Sequence, residues 1–92
     1  MYKNNPNHRN VFRLVYHGNK AQFEKLERDK DKPDFLDHNL NDLKILLSYE
    51  MSELYEAMFD PTELDAIEQE AADVANFAHM IILKCKELKG EL

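Results

Sequence analysis

Residues 39–89 read NLNDLKILLSYEMSELYEAMFDPTELDAIEQEAADVANFAHMIILKCKELK, and this stretch decides the fold. Leu40, Leu43, Leu47, Met51, Leu54 and Met58 recur at steps of three and four, the period of a helix with one apolar face. The spacing predicts a helix over about 39–59, with Asp37, Asn39 or Asn41 as its N-cap. Phe59-Asp60-Pro61 interrupts it. Leu64, Ile67, Ala71, Val74, Ala78, Ile81, Cys85 and Leu88 then restart the period and predict a second long helix over about 61–89. Asp60 suits its cap, Pro61 its first position and Glu63 the third residue after the cap. Lys84, Lys86 and Lys89 suit the negative end of the helix dipole, and Gly90 is a stop signal. Helices joined by so short a link pack antiparallel as neighbours.

Upstream, residues 1–7 are polar and expected to fray. His8 to Lys30 reads as a weaker helix, in which Gly18-Asn19 separates Val11, Phe12, Leu14 and Val15 from Phe23 and Leu26 and is a possible break or end. Asp31-Lys32-Pro33-Asp34 signals a turn, because proline lacks a donor and disfavours helix in the residue before it. No strand pattern of useful length, internal repeat or low-complexity segment occurs. The chain is expected to be a single all-α domain over 1–92, an antiparallel helical bundle. So short a chain has a limited core of its own, which favours a four-helix core completed by oligomerisation, as a homodimer or tetramer.

Composition narrows the function classes. Net charge is −6, with scattered basic residues, which argues against binding a nucleic-acid polyanion. The one cysteine, Cys85, leaves no disulfide framework or cysteine zinc site. No run of about 18 apolar residues could cross a membrane, and the N-terminus lacks the apolar stretch of a signal peptide. A cytoplasmic location is the expectation.

The chemistry-bearing residues are Glu50, Glu53, Glu70 and Asp73. Spacing of three puts each pair on one face of its helix. With 18 acids in 92 residues, about one match to this bare pattern arises by chance over all placements. Position on the helix says more. At about 100° per residue from Leu43, Glu50 falls at roughly −20°, among Leu47, Leu54 and Met58, and Glu53 at the edge of that arc. From Asp73, Glu70 falls at roughly +60°, among Phe77, Met80 and Ile81. Inward carboxylates are costly unless neutralised, and no basic residue on these two helices can serve all four. A divalent cation with hard-oxygen preference, Mg²⁺ with Mn²⁺ as a substitute, is the natural solution. A ferritin-like di-iron site needs Glu-x-x-His, which is absent from the chain.

Residues 46–84, and EAADVANFAHMI (70–81) above all, resemble the MazG-like all-α nucleoside triphosphate pyrophosphohydrolases. That family carries E-x-x-E, a short connection and E-x-x-D. The resemblance covers under half of the chain. It implies Mg²⁺-dependent cleavage of a nucleoside or deoxynucleoside triphosphate to the monophosphate and pyrophosphate, with a house-cleaning role in the nucleotide pool. It makes Glu50, Glu53, Glu70 and Asp73 the metal-holding and catalytic residues. Metal chemistry of this kind bridges phosphate oxygens, neutralises charge and acidifies an attacking water, which Glu53 at the rim could orient. Asn76 resembles a family position near the substrate, and Lys84 could reach a triphosphate tail. Tyr49 stands where many members have a further acid, which leaves open a second metal or a separate base. A dUTP or phosphoribosyl-ATP pyrophosphohydrolase is a neighbouring reading. A non-catalytic nucleotide-binding or helical interaction module is another. His79 reads as a surface or interface residue. Phe12, Tyr16 and His17 read as packing before base stacking, and Cys85, Met51, Met58 and Met80 as core.

Overall fold

The structure, a computed structural model, describes residues 6–28 and 37–92. Three helices account for its regular structure: α1 (Pro6–Arg28), α2 (Leu40–Ala57) and α3 (Leu64–Leu88). No strand occurs among the described residues. The all-α class expected from the periodicity is present. The expected turn at 31–34 lies outside the described residues.

α2 and α3 are the two helices read from the 39–89 stretch. Of the three possible caps of α2, Asn39 serves: its side-chain oxygen accepts from the Asp42 backbone N–H at 2.8 Å. This satisfies one of the free donors of a helix start. α2 closes at Ala57, slightly before the expected end. The expected cap of α3 is corrected. Asp60 does not cap a helix beginning at Pro61; its carboxylate accepts from the Thr62 backbone N–H at 3.1 Å and the Thr62 hydroxyl at 2.6 Å. That turn reverses the chain, so α3 starts at Leu64, with Glu63 in the cap position and no side-chain cap bond. The expected stop at Gly90 is present, with φ +73°, a conformation that favours glycine.

α1 runs unbroken through Gly18-Asn19. Glycine inside a helix costs only about 1 kcal/mol relative to alanine, too little to stop a helix supported on both sides. It starts at Pro6, earlier than the expected His8; proline suits a first turn, where its missing N–H would be free anyway.

α1 and α2 each pack on α3 and not on each other. Gln22 meets Asn76 and His79 while Lys25 meets Asp73, so α1 runs antiparallel to α3. Glu50 and Glu53 couple to Glu70 and Asp73 across α2 and α3. Leu43 (fully buried) and Ala72 are the buried apolar residues among those described. Burying one leucine contributes about 1.5–3 kcal/mol, so the core of a single copy is small. The Cα radius of gyration is 15.4 Å, where a compact domain of this length has about 12 Å.

A candidate metal centre on α2 and α3

The four carboxylates meet because α2 and α3 are antiparallel and each presents its pair one turn apart. One oxygen from each of Glu50, Glu53 and Glu70 lies within 4.8 Å of the others. Asp73 sits beside them, close enough to raise the carboxyls of both Glu50 and Glu70 by charge repulsion. Its Oδ2 lies 3.5 Å from the ammonium of Lys25.

The electrostatics follow from the crowding. Burial first, then the charges of Asp73, Glu53 and Glu70, push the Glu50 carboxyl above its ordinary range, and Lys25 partly opposes this. Burial first, then Glu53 and Asp73, raises Glu70 likewise. Glu50 and Glu70 each bury one carboxylate oxygen that has no hydrogen-bond partner. Such an oxygen is costly unless proton or cation meets it. On α2, Tyr49 is exposed at the rim, and its hydroxyl is raised above the ordinary phenol range, chiefly by its hydrogen bond to Glu53.

The residues fit a divalent ion. Three converging carboxylate oxygens are the hard donor set that such a cation takes, and the buried, unpartnered oxygens of Glu50 and Glu70 would gain a partner. Glu50, Glu53 and Glu70 would hold it, with Asp73 next to them once it turns from Lys25.

The other sequence candidates lie along α3. Asn76 is one turn beyond Asp73 and buried, at 4% exposure. Its Oδ1 accepts from Gln22 Nε2 at 3.2 Å, and its Nδ2 donates to the Gln22 backbone carbonyl at 3.3 Å. Gln22 Nε2 also donates to His79 Nδ1 at 2.9 Å. Asn76 thus joins α1 to α3 and lines a cavity of about 300 Å³ with Gln22, Phe23, His79, Met80 and Leu83. Lys84 stands apart from the acids, roughly 16 Å along α3 from Asp73. Its ammonium pairs with Glu87 at 2.9 Å. Phe12 and Tyr16 stack with centroids 6.3 Å apart and Tyr16 meets His17 edge-on, all three exposed and outside that cavity.

Sequence reasoning missed Lys25 and Gln22. Both sit on one face of α1, three residues apart, a spacing readable in hindsight. Nothing in the weak periodicity of α1 says which of its faces meets α3.

No family model matches the chain, and no curated protein or solved structure matches it at a significant level.

Proposed function

We propose that this chain is a MazG-like, Mg²⁺-dependent pyrophosphohydrolase that cleaves nucleoside or deoxynucleoside triphosphates to monophosphate and pyrophosphate. The observation that carries the reading is the convergence of Glu50, Glu53 and Glu70 oxygens within 4.8 Å, with two of those carboxylates carrying buried, unpartnered oxygens. Structural acids on a solvated helix face have no need to converge or to bury an oxygen.

A divalent ion, when bound, supplies charge neutralisation for the phosphates and a more acidic water. The protein's own residues do the rest. Glu50 and Glu70, packed between the helices, fix the position of the ion. Glu53, at the edge of the cluster and hydrogen-bonded by Tyr49, is placed to accept a proton from an attacking water. Lys25, already beside Asp73, can move from it to a phosphate oxygen. The cavity one turn along α3, with amides of Gln22 and Asn76 and the ring of Phe23, offers hydrogen bonds and an aromatic wall to a base. In the same reading a second copy completes a four-helix core.

The test is pyrophosphate release from a panel of canonical and modified triphosphates, dUTP and phosphoribosyl-ATP included, with Mg²⁺ and with chelator. Chelator-sensitive release, lost in Glu53→Gln and Asp73→Asn, is the expected result. Tyr49 in place of a further acid favours one other reading, a nucleotide-binding module without turnover; it gives Mg²⁺-dependent binding and no pyrophosphate.

A further inference from the structure

α1 is held on α3 largely through polar side chains. Gln22 is the buried residue of α1 among those described, and its neighbours Phe23 and Leu26 are 64% and 42% exposed. The bonds that cross from Gln22 to α3 fix one another's direction. The backbone carbonyl of Gln22 can only accept, so the Asn76 atom 3.3 Å from it is the Nδ2 donor. The other end of that amide is then Oδ1, an acceptor, and the Gln22 atom 3.2 Å from it is the Nε2 donor. Gln22 Nε2 has a second hydrogen, and His79 Nδ1 lies 2.9 Å away to accept it. An imidazole that accepts at Nδ1 is neutral and carries its proton on Nε2. The series begins at a backbone oxygen that no side-chain flip can reverse, and it ends by fixing the tautomer of His79.

A proton on Nδ1 breaks this network whichever way the amides turn. With Gln22 as it stands, donor faces donor. With Gln22 turned over, its oxygen accepts from His79 but meets the oxygen of Asn76. With Asn76 turned as well, that oxygen meets the Gln22 carbonyl. His79 is exposed at the edge of the α1–α3 contact, so protons reach it from solvent. The side chains beside it in the cavity wall, Asn19, Phe23, Leu26, Met80 and Leu83, are uncharged. Of the charged groups on the packed elements, Lys25 and Asp73 pair with each other, with Asp73 about 9 Å back along α3 from His79. Glu50 and Glu53 of α2 and Glu70 of α3 lie beyond that pair. Glu68 and Lys86 share the stripe of His79 on α3, roughly three turns before it and two turns after it. Lys86 is itself paired with Glu91.

We propose that His79 is a proton-operated latch on α1: neutral, it holds Gln22 and keeps α1 docked on α3; protonated at Nδ1, it lets go. Imidazole is the side chain that ordinarily changes charge between about pH 5 and 8. The docked state excludes a proton that the undocked state binds, so docking is fully present above the titration of His79 and weakens as pH falls through it. Release of α1 draws Lys25 from Asp73 and opens the cavity between α1 and α3. The latch stands whether or not the chain hydrolyses nucleotides. It acts against the raised carboxyls of Glu50 and Glu70, whose contribution to stability grows toward acid. Exchange within α1, and not global unfolding, therefore reports it.

NMR of the full chain with chelator, from about pH 8 to about pH 5, with amide hydrogen exchange along α1, tests it. At the alkaline end the His79 ring has its proton on Nε2 and none on Nδ1. On acidification the side-chain amide signals of Gln22 move with the midpoint of the His79 ring. Exchange of the α1 amides around Gln22, corrected for the intrinsic effect of pH, rises about fivefold, the worth of one net hydrogen bond. His79→Asn sets an oxygen that cannot titrate near the place of Nδ1, and abolishes that rise. A ring with its proton on Nδ1 at the alkaline end overturns the proposal. So do Gln22 amide signals that ignore the His79 midpoint. A rise that persists in His79→Asn also overturns it and assigns the release of α1 to another group.

Discussion

The ammonium of Lys25, in the last turn of α1, lies 3.5 Å from the carboxylate of Asp73 on α3. Among the described residues it is the cation whose charge lowers the Glu50 and Glu70 carboxyls against the repulsion of their neighbours. A lysine in that position partly does the work of a metal ion, so it and a divalent cation compete for the same carboxylates. Lys25→Met therefore has two opposite effects. The metal-free chain becomes less stable, and Mn²⁺ binds more tightly, by at least about fivefold, the worth of one unit charge about 4 Å away even at the dielectric of water. Calorimetric Mn²⁺ titration alongside thermal melting reads both. Weaker Mn²⁺ binding by the variant would sink the competition.

Glu50 adds repulsion and an unpartnered buried oxygen to the metal-free fold. Glu50→Gln removes the charge and keeps the shape. At pH 7 with chelator the variant melts at the wild-type temperature or above, a gain of about 1 kcal/mol corresponding to roughly 4–8 °C for a chain of this size. Mg²⁺ raises the wild-type melting temperature and leaves that of the variant unmoved. An equal Mg²⁺ response in both proteins removes Glu50 from the ion's ligands.

The raised carboxyls give the metal-free chain a definite pH dependence. Between the ordinary carboxylate range and the raised values of Glu50 and Glu70, the folded chain binds more protons than the unfolded one. Their contribution to stability therefore falls as pH rises through that window, and is largest at its acid end. Asp60, lowered by its bonds from Thr62, acts in the opposite sense and at lower pH. Chemical denaturation at a series of pH values above the ordinary carboxylate range shows stability declining toward neutrality with chelator. Saturating Mg²⁺ flattens the decline, since the ion replaces the protons.

The two glycines respond oppositely to alanine. Gly18 is helical with open space where a Cβ would stand, so Gly18→Ala stabilises α1 by about 0.5–1 kcal/mol. Gly90 has φ +73°, and Gly90→Ala strains the end of α3. Loss of stability in Gly18→Ala would mean that α1 breaks at that residue in solution.

Leu43 is the one large side chain fully buried among the described residues, where α2 meets α3. Leu43→Ala costs about 2–5 kcal/mol, a large share of what so small a domain has to lose. Urea denaturation followed by helix content measures it. A change within about 0.5 kcal/mol would mean that α2 and α3 do not pack through Leu43.

By itself the sequence determined α2 and α3, because an apolar residue every third or fourth position leaves one face to bury whatever else the chain does. It also placed Glu50, Glu70 and Asp73 among apolar neighbours and Glu53 at the edge, since their angles on each helix are fixed by helix geometry alone. The same local rules placed Asn39 among the caps of α2 and the stop at Gly90. What only the tertiary structure decided is everything that depends on how helices meet. Asp60 could cap a helix or build a turn, and the need to reverse the chain between α2 and α3 chose the turn. Gly18 could break α1, yet it sits within an unbroken helix whose later turns are held to α3 through Gln22 and Lys25. Lys25 reaches Asp73 although 48 residues separate them in the chain, because α1 docks antiparallel on α3. Periodicity fixes which residues share a face of one helix. Which faces touch is set by the packing of side chains from distant parts of the chain, and no local spacing encodes that.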